Sequence, residues 1–261
     1  MSSRLEQVMW DNKVLIPYFT YGDPTPLFSE DLVCEAFDAG ADIVELGVPF
    51  SDPIADGPVI QSSHYRALKN DKVGISGVLS AVERIKKRVD KPIIIMASVN
   101  LILQFGVEAF FQEASKVGLD GAVIPDLPVE VASDYIRFSD QYGVDLVFLV
   151  STLCQPERLR KLVEGSRGFV YLISSLGTTG ERAVLSASLS RIVDQIRSVK
   201  RIPVAVGFGI STPEHVASVT SYAQGAIIGS HFVRCFEDSS RSVLENKRRV
   251  LERIKILKNA I

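Results

Sequence analysis

Three carboxylates, Glu45, Asp52 and Asp56, fall close together in IVELGVPFSDPIADGPVIQ, residues 43–61. Glu45 sits inside an apolar run that reads as a strand, whereas Asp52 and Asp56 lie on a loop punctuated by Pro49, Pro53, Gly57 and Pro58. An acid in a buried strand is costly unless it is paired, protonated or put to use. No basic residue lies near Glu45 in sequence, and apolar surroundings raise a carboxyl pKa into the range of a proton donor. A rigid acid on a strand and a second acid on the loop that follows suit general acid–base chemistry. The alternative for Glu45 is a structural ion pair. Ala-Asp-Gly-Pro around Asp56 and Ser-Asp-Pro around Asp52 are also good turn sequences. Asp126, in Ile-Pro-Asp-Leu-Pro, is read as structural or partner-facing.

A second constellation is built of glycine. Gly207-Phe208-Gly209-Ile210-Ser211 and Gly229-Ser230 each follow an apolar run. Glycines there let backbone N–H groups approach an anion with no Cβ in the way, which favours a phosphate nest. Neither motif contains Lys or Arg, so the grip would come from backbone dipoles; a plain turn is the alternative. His64, His215 and His231 are too dispersed for a metal set, and His231 is expected on the surface. Trp10 is expected to be a packing residue. Cys34, Cys154 and Cys235 contain no CxxC pair and read as reduced thiols.

These residues need a scaffold that brings strand ends together. Short Val- and Ile-rich runs at 13–19, 42–47, 92–97, 121–124, 145–150, 169–173, 203–207 and 226–228 lack strict alternation, as strands of a parallel sheet buried on both faces do. Helical stretches lie between them, at 27–39, 59–69, 75–89, 107–117, 129–142, 156–164, 189–199, 213–221 and 240–258. Strand–helix units repeated evenly through 261 residues predict an α/β fold, a (β/α)8 TIM barrel forming one domain over 1–261. A short helix around 5–9 is expected to cap its bottom. A doubly wound open sheet is the competitor. In a barrel the chemistry sits on loops after the strands, here loop 2 (residues 49–57) and loop 6 (residues 174–188), the latter long enough to be a lid. Hydrophobic content of 46%, charged content of 23% and net charge −2 describe an ordinary soluble, cytoplasmic protein and give no bulk reason for nucleic acid or membrane as partner.

The string Glu45–Gln61 resembles the signature of the tryptophan synthase α subunit family. Pro17-Tyr18-Phe19-Thr20-Tyr21-Gly22-Asp23-Pro24, Asp126-Leu127-Pro128, Gly177-Thr178-Thr179-Gly180, Gly207-Phe208-Gly209-Ile210 and Gly229-Ser230 follow in the family's order. The resemblance implies retro-aldol cleavage of indole-3-glycerol phosphate to indole and glyceraldehyde 3-phosphate. It casts Glu45 as the general acid/base and Asp56 as the acid that receives the indole N–H. Thr179 becomes the lid residue that meets Asp56, Gly180, Gly209, Gly229 and Ser230 the phosphate donors, and Tyr18, Ile60, Leu149, Tyr171 and Phe208 the indole pocket. It implies no cofactor in this chain, and a pyridoxal phosphate-dependent β subunit as partner in an αββα heterotetramer, touching Asp52, Pro53 and the segment after Asn100. Two departures stand out. Ser98 occupies a position where the family usually has Tyr, which would open an aromatic wall, and residues 150–155 diverge from a usually Pro-rich loop. The competing readings are a non-catalytic scaffold that activates a β subunit, a stand-alone indole-releasing lyase, and another phosphate-binding barrel such as a sugar-phosphate isomerase.

Overall fold

The computed structural model describes residues 2–54, 56–174, 182–207 and 209–261, with the side chains of 182–187 outside that description. Nine parallel strand segments are found among the described residues: β1 Val14–Thr20, β2 Val44–Gly47, β3 Ile93–Met96, β4 Gly121–Val123, β5 Asp145–Val147, β6 Leu149–Ser151, β7 Val170–Ile173, β8 Val204–Gly207 and β9 Gly225–Ile228. They pair in the order β5-β4-β3-β2-β1-β9-β8-β7-β6. The two ends of that order are consecutive in the chain and separated only by Phe148. One strand, expected whole at 145–150, is therefore split: β5 pairs with β4 and β6 pairs with β7. Backbone bonds from Arg167 to Leu146 and from Tyr171 to Phe148 carry the ladder across the break. The split strand closes the ring, and the architecture is the expected eight-stranded barrel rather than an open sheet.

Side-chain alternation divides the apolar residues into two sets. Val14, Ile16, Ile43, Ile94, Val123, Val147, Phe169, Tyr171, Ala205 and Ile227 point inward and fill the lumen. Leu15, Val44, Leu46, Ile93, Ile95, Leu146, Val170, Leu172, Val204 and Val206 point outward into a layer shared with the helices. Both faces of most strands are thus buried, β6 with its exposed Ser151 excepted, which is why the runs read as continuous rather than alternating. The helix Arg4–Asp11, capped by the Ser3 side chain, sends the completely buried Leu5 and Met9 into the lumen from below. Trp10 lies on the other side of that helix, 38% exposed under the Arg201 guanidinium, so it is a surface residue and not the packing residue expected.

Several segments differ from expectation, among them the short helices Ser230–Val233 and Arg234–Glu237 that follow β9. The helix Val99–Phe105 was not foreseen; Ser98 caps it and Gly106, at φ 94°, ends it. Residues expected as one helix at 129–142 form a single 3-10 turn, Val129–Val131, and then the helix Ser133–Tyr142. The helix expected at 189–199 begins at Arg182, so the connection after β7 is shorter than the proposed lid. Thr179, Gly180 and Phe208 lie outside the described residues, as does the side chain of Arg182.

Candidate active site

Glu45 stands on β2 opposite Tyr18 of β1 and Ile94 of β3 in the register. Ile43 and Gly47 share its face, so its side chain enters the lumen just below the C-terminal rim. It is fully buried, and neither carboxylate oxygen has a hydrogen-bond partner. Burial, reinforced by the nearby charge of Asp56, pushes its pKa up to about 8. The carboxyl is therefore largely protonated at neutral pH, without the structural partner that a buried acid otherwise needs. Asp145 shows the contrast. At the opposite, N-terminal end of its strand it is also buried and its carboxyl is also raised, to about 6, but Arg167 Nε lies 3.4 Å away as an ionic partner that Glu45 lacks.

Asp56 follows on loop 2, immediately before the helix Pro58–Ala67. Its amide donates to the Pro53 carbonyl at 3.1 Å, and Gln61 Nε2 donates to its own carbonyl at 2.8 Å. This anchors the loop tip from the helix it precedes. Burial, followed by the charge of Asp126, raises the Asp56 carboxyl to about 6. Two acids near one rim thus have pKa values that straddle neutrality, one poised as donor and the other as anion.

A cavity of about 240 Å³ opens between them, lined by Tyr18, Glu45, Asp56, Ile60, Met96, Tyr171, Gly209, Ile210, Ile227, Gly229 and Ser230, with Gly57, Pro58 and Val59 at its lip. Acid–base residues, apolar wall and both glycine motifs share one space, as a small-molecule site requires. Two glycines owe their identity to the wall itself. A Cβ at Gly47 would overlap the Tyr18 hydroxyl, and one at Gly207 would overlap the Tyr171 ring. Gly207 is thus a packing glycine rather than part of an anion nest. Gly209 has φ 75°, a conformation natural to glycine. A Cβ at Gly229 would meet only Tyr18, at an ordinary 3.5 Å, so packing does not require glycine there. Leu149 is placed elsewhere: it packs on the lumen core and lines the neighbouring depression with Ser151 and Cys154.

Behind Asp56 runs a chain of hydrogen bonds whose direction is fixed at both ends. The Phe50 amide donates to His64 Nδ1 at 3.0 Å, so the neutral ring carries its proton on Nε2. That nitrogen faces the Tyr18 hydroxyl at 3.3 Å and Asp56 Oδ2 at 3.9 Å. At the other end Ser63 Oγ donates to the Ile60 carbonyl at 2.7 Å, so it accepts from Thr20 Oγ1 at 2.6 Å, and Thr20 in turn faces Tyr18 at 3.4 Å. Burial lowers the His64 pKa and keeps the ring neutral. The sequence offered His64 only as a dispersed histidine; its seven-residue spacing from Gly57 on a helix turned toward the rim was the available signal.

Ser98 has a structural role besides its place at the pocket mouth. Its hydroxyl donates to Asp126 Oδ2 at 2.7 Å, and the Val99 amide donates to Oδ1 at 2.8 Å. Ser98 Oγ also accepts from the Asn100 amide at 3.4 Å, so Ser98 caps the helix Val99–Phe105 and ties it to the β4 loop, in addition to lining the outer mouth with Asp52, Asp56, His64 and Asp126. Asp23, from the early Gly-Asp-Pro motif, holds Arg66 through contacts of 2.9 and 2.7 Å and fixes loop 1 to the helix after loop 2. His231 is half-buried and accepts from Arg253, contrary to its expected surface role. No group of metal-binding side chains occurs among the described residues, and no helix among them is long and apolar enough to cross a membrane.

Residues 6–261 match the profile of the family described as Tryptophan synthase alpha chain. The chain belongs to the tryptophan synthase alpha chain family. Among curated relatives, the tryptophan synthase alpha chain of Solibacter usitatus is 40% identical over 248 residues, 93% of this chain and 92% of that one. The Geobacter sulfurreducens protein of the same name is 44% identical over 225 residues, 86% of this chain and 85% of its own length. Among solved structures, a chain of Mycobacterium tuberculosis tryptophan synthase superposes with a TM-score of 0.89 at 32% identity, covering 100% of this chain and 99% of that one. The tryptophan synthase subunit alpha of Legionella pneumophila gives 0.89 at 30% identity, with the same coverage. Members of this family are lyases that catalyse the alpha reaction of tryptophan biosynthesis, and this chain is an enzyme of that class.

Proposed function

We propose that this chain cleaves indole-3-glycerol phosphate to indole and glyceraldehyde 3-phosphate, with Glu45 moving the protons and Asp56 holding the indole nitrogen. The observation that carries this reading is the orphaned, protonated carboxyl of Glu45 on the wall of a cavity that also receives Asp56. The neutral Glu45 carboxyl gives its proton to indole C3, and the ring becomes an iminium whose N–H faces the Asp56 carboxylate. The Glu45 carboxylate then takes the proton of the glycerol hydroxyl next to the ring. As that oxygen becomes an aldehyde, the C–C bond breaks and its electron pair returns to the ring, which regenerates neutral indole and the protonated acid. Tyr18, Ile60 and Tyr171 form the slot for the bicycle, and backbone donors at Gly209, Gly229 and Ser230 take the phosphate. Thr179, Gly180 and Phe208 retain their proposed lid, phosphate and pocket roles.

The chain itself uses no cofactor in this scheme. Its partner is a pyridoxal phosphate-dependent β subunit in an αββα assembly within the cytoplasm, and the C-terminal rim supports that reading. Ile54 on loop 2 is 88% exposed and Leu153 on the β6 loop 86%, beside the exposed Asp52. Exposed apolar residues grouped on one rim are a feature of protein interfaces. Indole release from indole-3-glycerol phosphate by the purified chain, with and without a β subunit, tests the proposal. Slow release that rises strongly with the partner is expected. Fast release alone would mark a stand-alone lyase, and no release in either condition a scaffold.

A further inference from the structure

The helix Val243–Lys258 packs on the outside of the barrel, yet one of its side chains reaches both glycine-bearing loops. Arg253 Nε donates to His231 Nε2 at 3.0 Å, and Arg253 Nη2 donates to the Ser211 carbonyl at 3.3 Å. His231 directly follows Ser230, and Ser211 lies two residues past Gly209. A single guanidinium therefore bridges the two chain segments whose backbones line the cavity from β8 and β9.

Two properties separate this arginine from an ordinary helix-to-loop staple. Its charge is not cancelled. Lys247, Arg249 and Lys258 of the helix are paired, with Glu35, Asp238 and Asp42, and Arg248 and Lys255 are exposed; Arg253 is half-buried, has no ion pair among the described residues and spends its donors on neutral acceptors. Its imidazole acceptor is held neutral as well: burial first, and then the charges of Arg253 and Arg234, lower the His231 pKa. The guanidinium thus keeps its positive charge on the two chain segments that follow Gly209 and Ser230.

We propose that Arg253 is a positioning residue for the phosphoryl group: through His231 and Ser211 it fixes the separation of the two loops and supplies the fixed positive charge that their sequences lack. This rests on the reading of Gly209, Gly229 and Ser230 as the phosphate cradle. Converging backbone N–H groups already favour an anion; an uncancelled charge behind them deepens that preference for a dianion over a neutral hydroxyl.

The test uses the full chain, its Arg253→Gln and Arg253→Lys variants, and three probes: sn-glycerol 3-phosphate, glycerol and indole. Arg253→Gln is expected to bind glycerol 3-phosphate about five- to tenfold more weakly, the scale of one partly screened charge, with indole affinity unchanged. KM for indole-3-glycerol phosphate should rise while kcat stays near the original, and the salt dependence of phosphate binding should flatten. Arg253→Lys should keep the salt dependence and recover part of the affinity. Equal weakening of indole and glycerol 3-phosphate would reduce Arg253 to a structural staple and overturn the proposal, as would a Lys variant indistinguishable from Gln. If the unaltered chain prefers glycerol 3-phosphate no more than glycerol, the cradle reading itself fails, before any variant is compared.

Discussion

A protonated glutamate with no hydrogen-bond partner is an unusual thing for a protein to bury, and its consequences can be measured away from catalysis. Because folding raises the Glu45 pKa from its ordinary value of 4.5 to about 8, the native state holds a proton that the unfolded chain has released across that interval. Stability contributed by the neutral carboxyl is complete at low pH and is lost progressively as pH climbs toward 8. Glu45→Gln, which keeps the shape without an ionisable proton, should fold, abolish indole release and raise Tm by more at pH 8 than at pH 5, as thermal melts would record. A destabilised variant would mean that Glu45 has a structural partner after all. Activity carries its own signature. Asp56 must be charged, above about 6, and Glu45 protonated, below about 8, so kcat/KM should follow a bell between those limits. Asp56→Asn should remove the acid limb along with most of the rate. At this scale the sequence spoke clearly about the two acids, because a lone charge in an apolar strand is a local pattern. It was silent on His64 and Arg253, whose partners are brought to them only by the fold: Tyr18 lies 46 residues from His64, and Ser211 lies 42 from Arg253.

Elements reach the site through very small allowances of space. β2 can lie beside the Tyr18 ring only because position 47 has no side chain, and β8 stands in the same relation to Tyr171. Gly47→Ala should push Tyr18 off its hydrogen-bond chain with His64 and Thr20, and so raise KM for indole-3-glycerol phosphate well before it unfolds the barrel. Steady-state kinetics beside a melting curve would separate the two effects, and an unchanged KM would show that the chain has no part in binding. The helix Val99–Phe105 depends on its cap in a comparable way. Ser98→Ala should cost about 1 kcal/mol, a typical N-cap loss, and leave Asp126 with the Val99 amide alone; chemical denaturation measures it. Most strands and helices were legible to within a few residues, because their apolar runs and terminal glycines are local signals. The segment 98–105 was not: Ser-Val-Asn-Leu-Ile-Leu-Gln-Phe follows the strand expected at 92–97 and carried no element of its own, and the fold reveals the capped helix. The break at Phe148 was hidden for a related reason, since which neighbour a strand segment pairs with is decided by strands far away in the chain.

Seen whole, the molecule assigns different work to its two ends. The upper rim carries Glu45, Asp56, the cavity and the exposed apolar loops; the lower end is sealed by Leu5 and Met9. Leu5→Ala should therefore lower stability by about 3 kcal/mol, as deletion of a buried leucine does, while KM and kcat below the melting transition stay where they were. A kinetic change of several-fold would show that the two ends are coupled. The closure of the ring has a further consequence, in time rather than space. β1 is paired on one side by β9, with Val14 against Gly225 and Pro17 against Ile228. While the chain is being synthesised, the first strand emerges early but must wait for the last one before its second edge is covered. Until then an apolar strand stands with open N–H and C=O groups, a template for unwanted association. A ribosome stalled before residue 225 should therefore hold a protease-sensitive, chaperone-bound chain. Release of a few dozen more residues should convert it, in one step, to a resistant barrel.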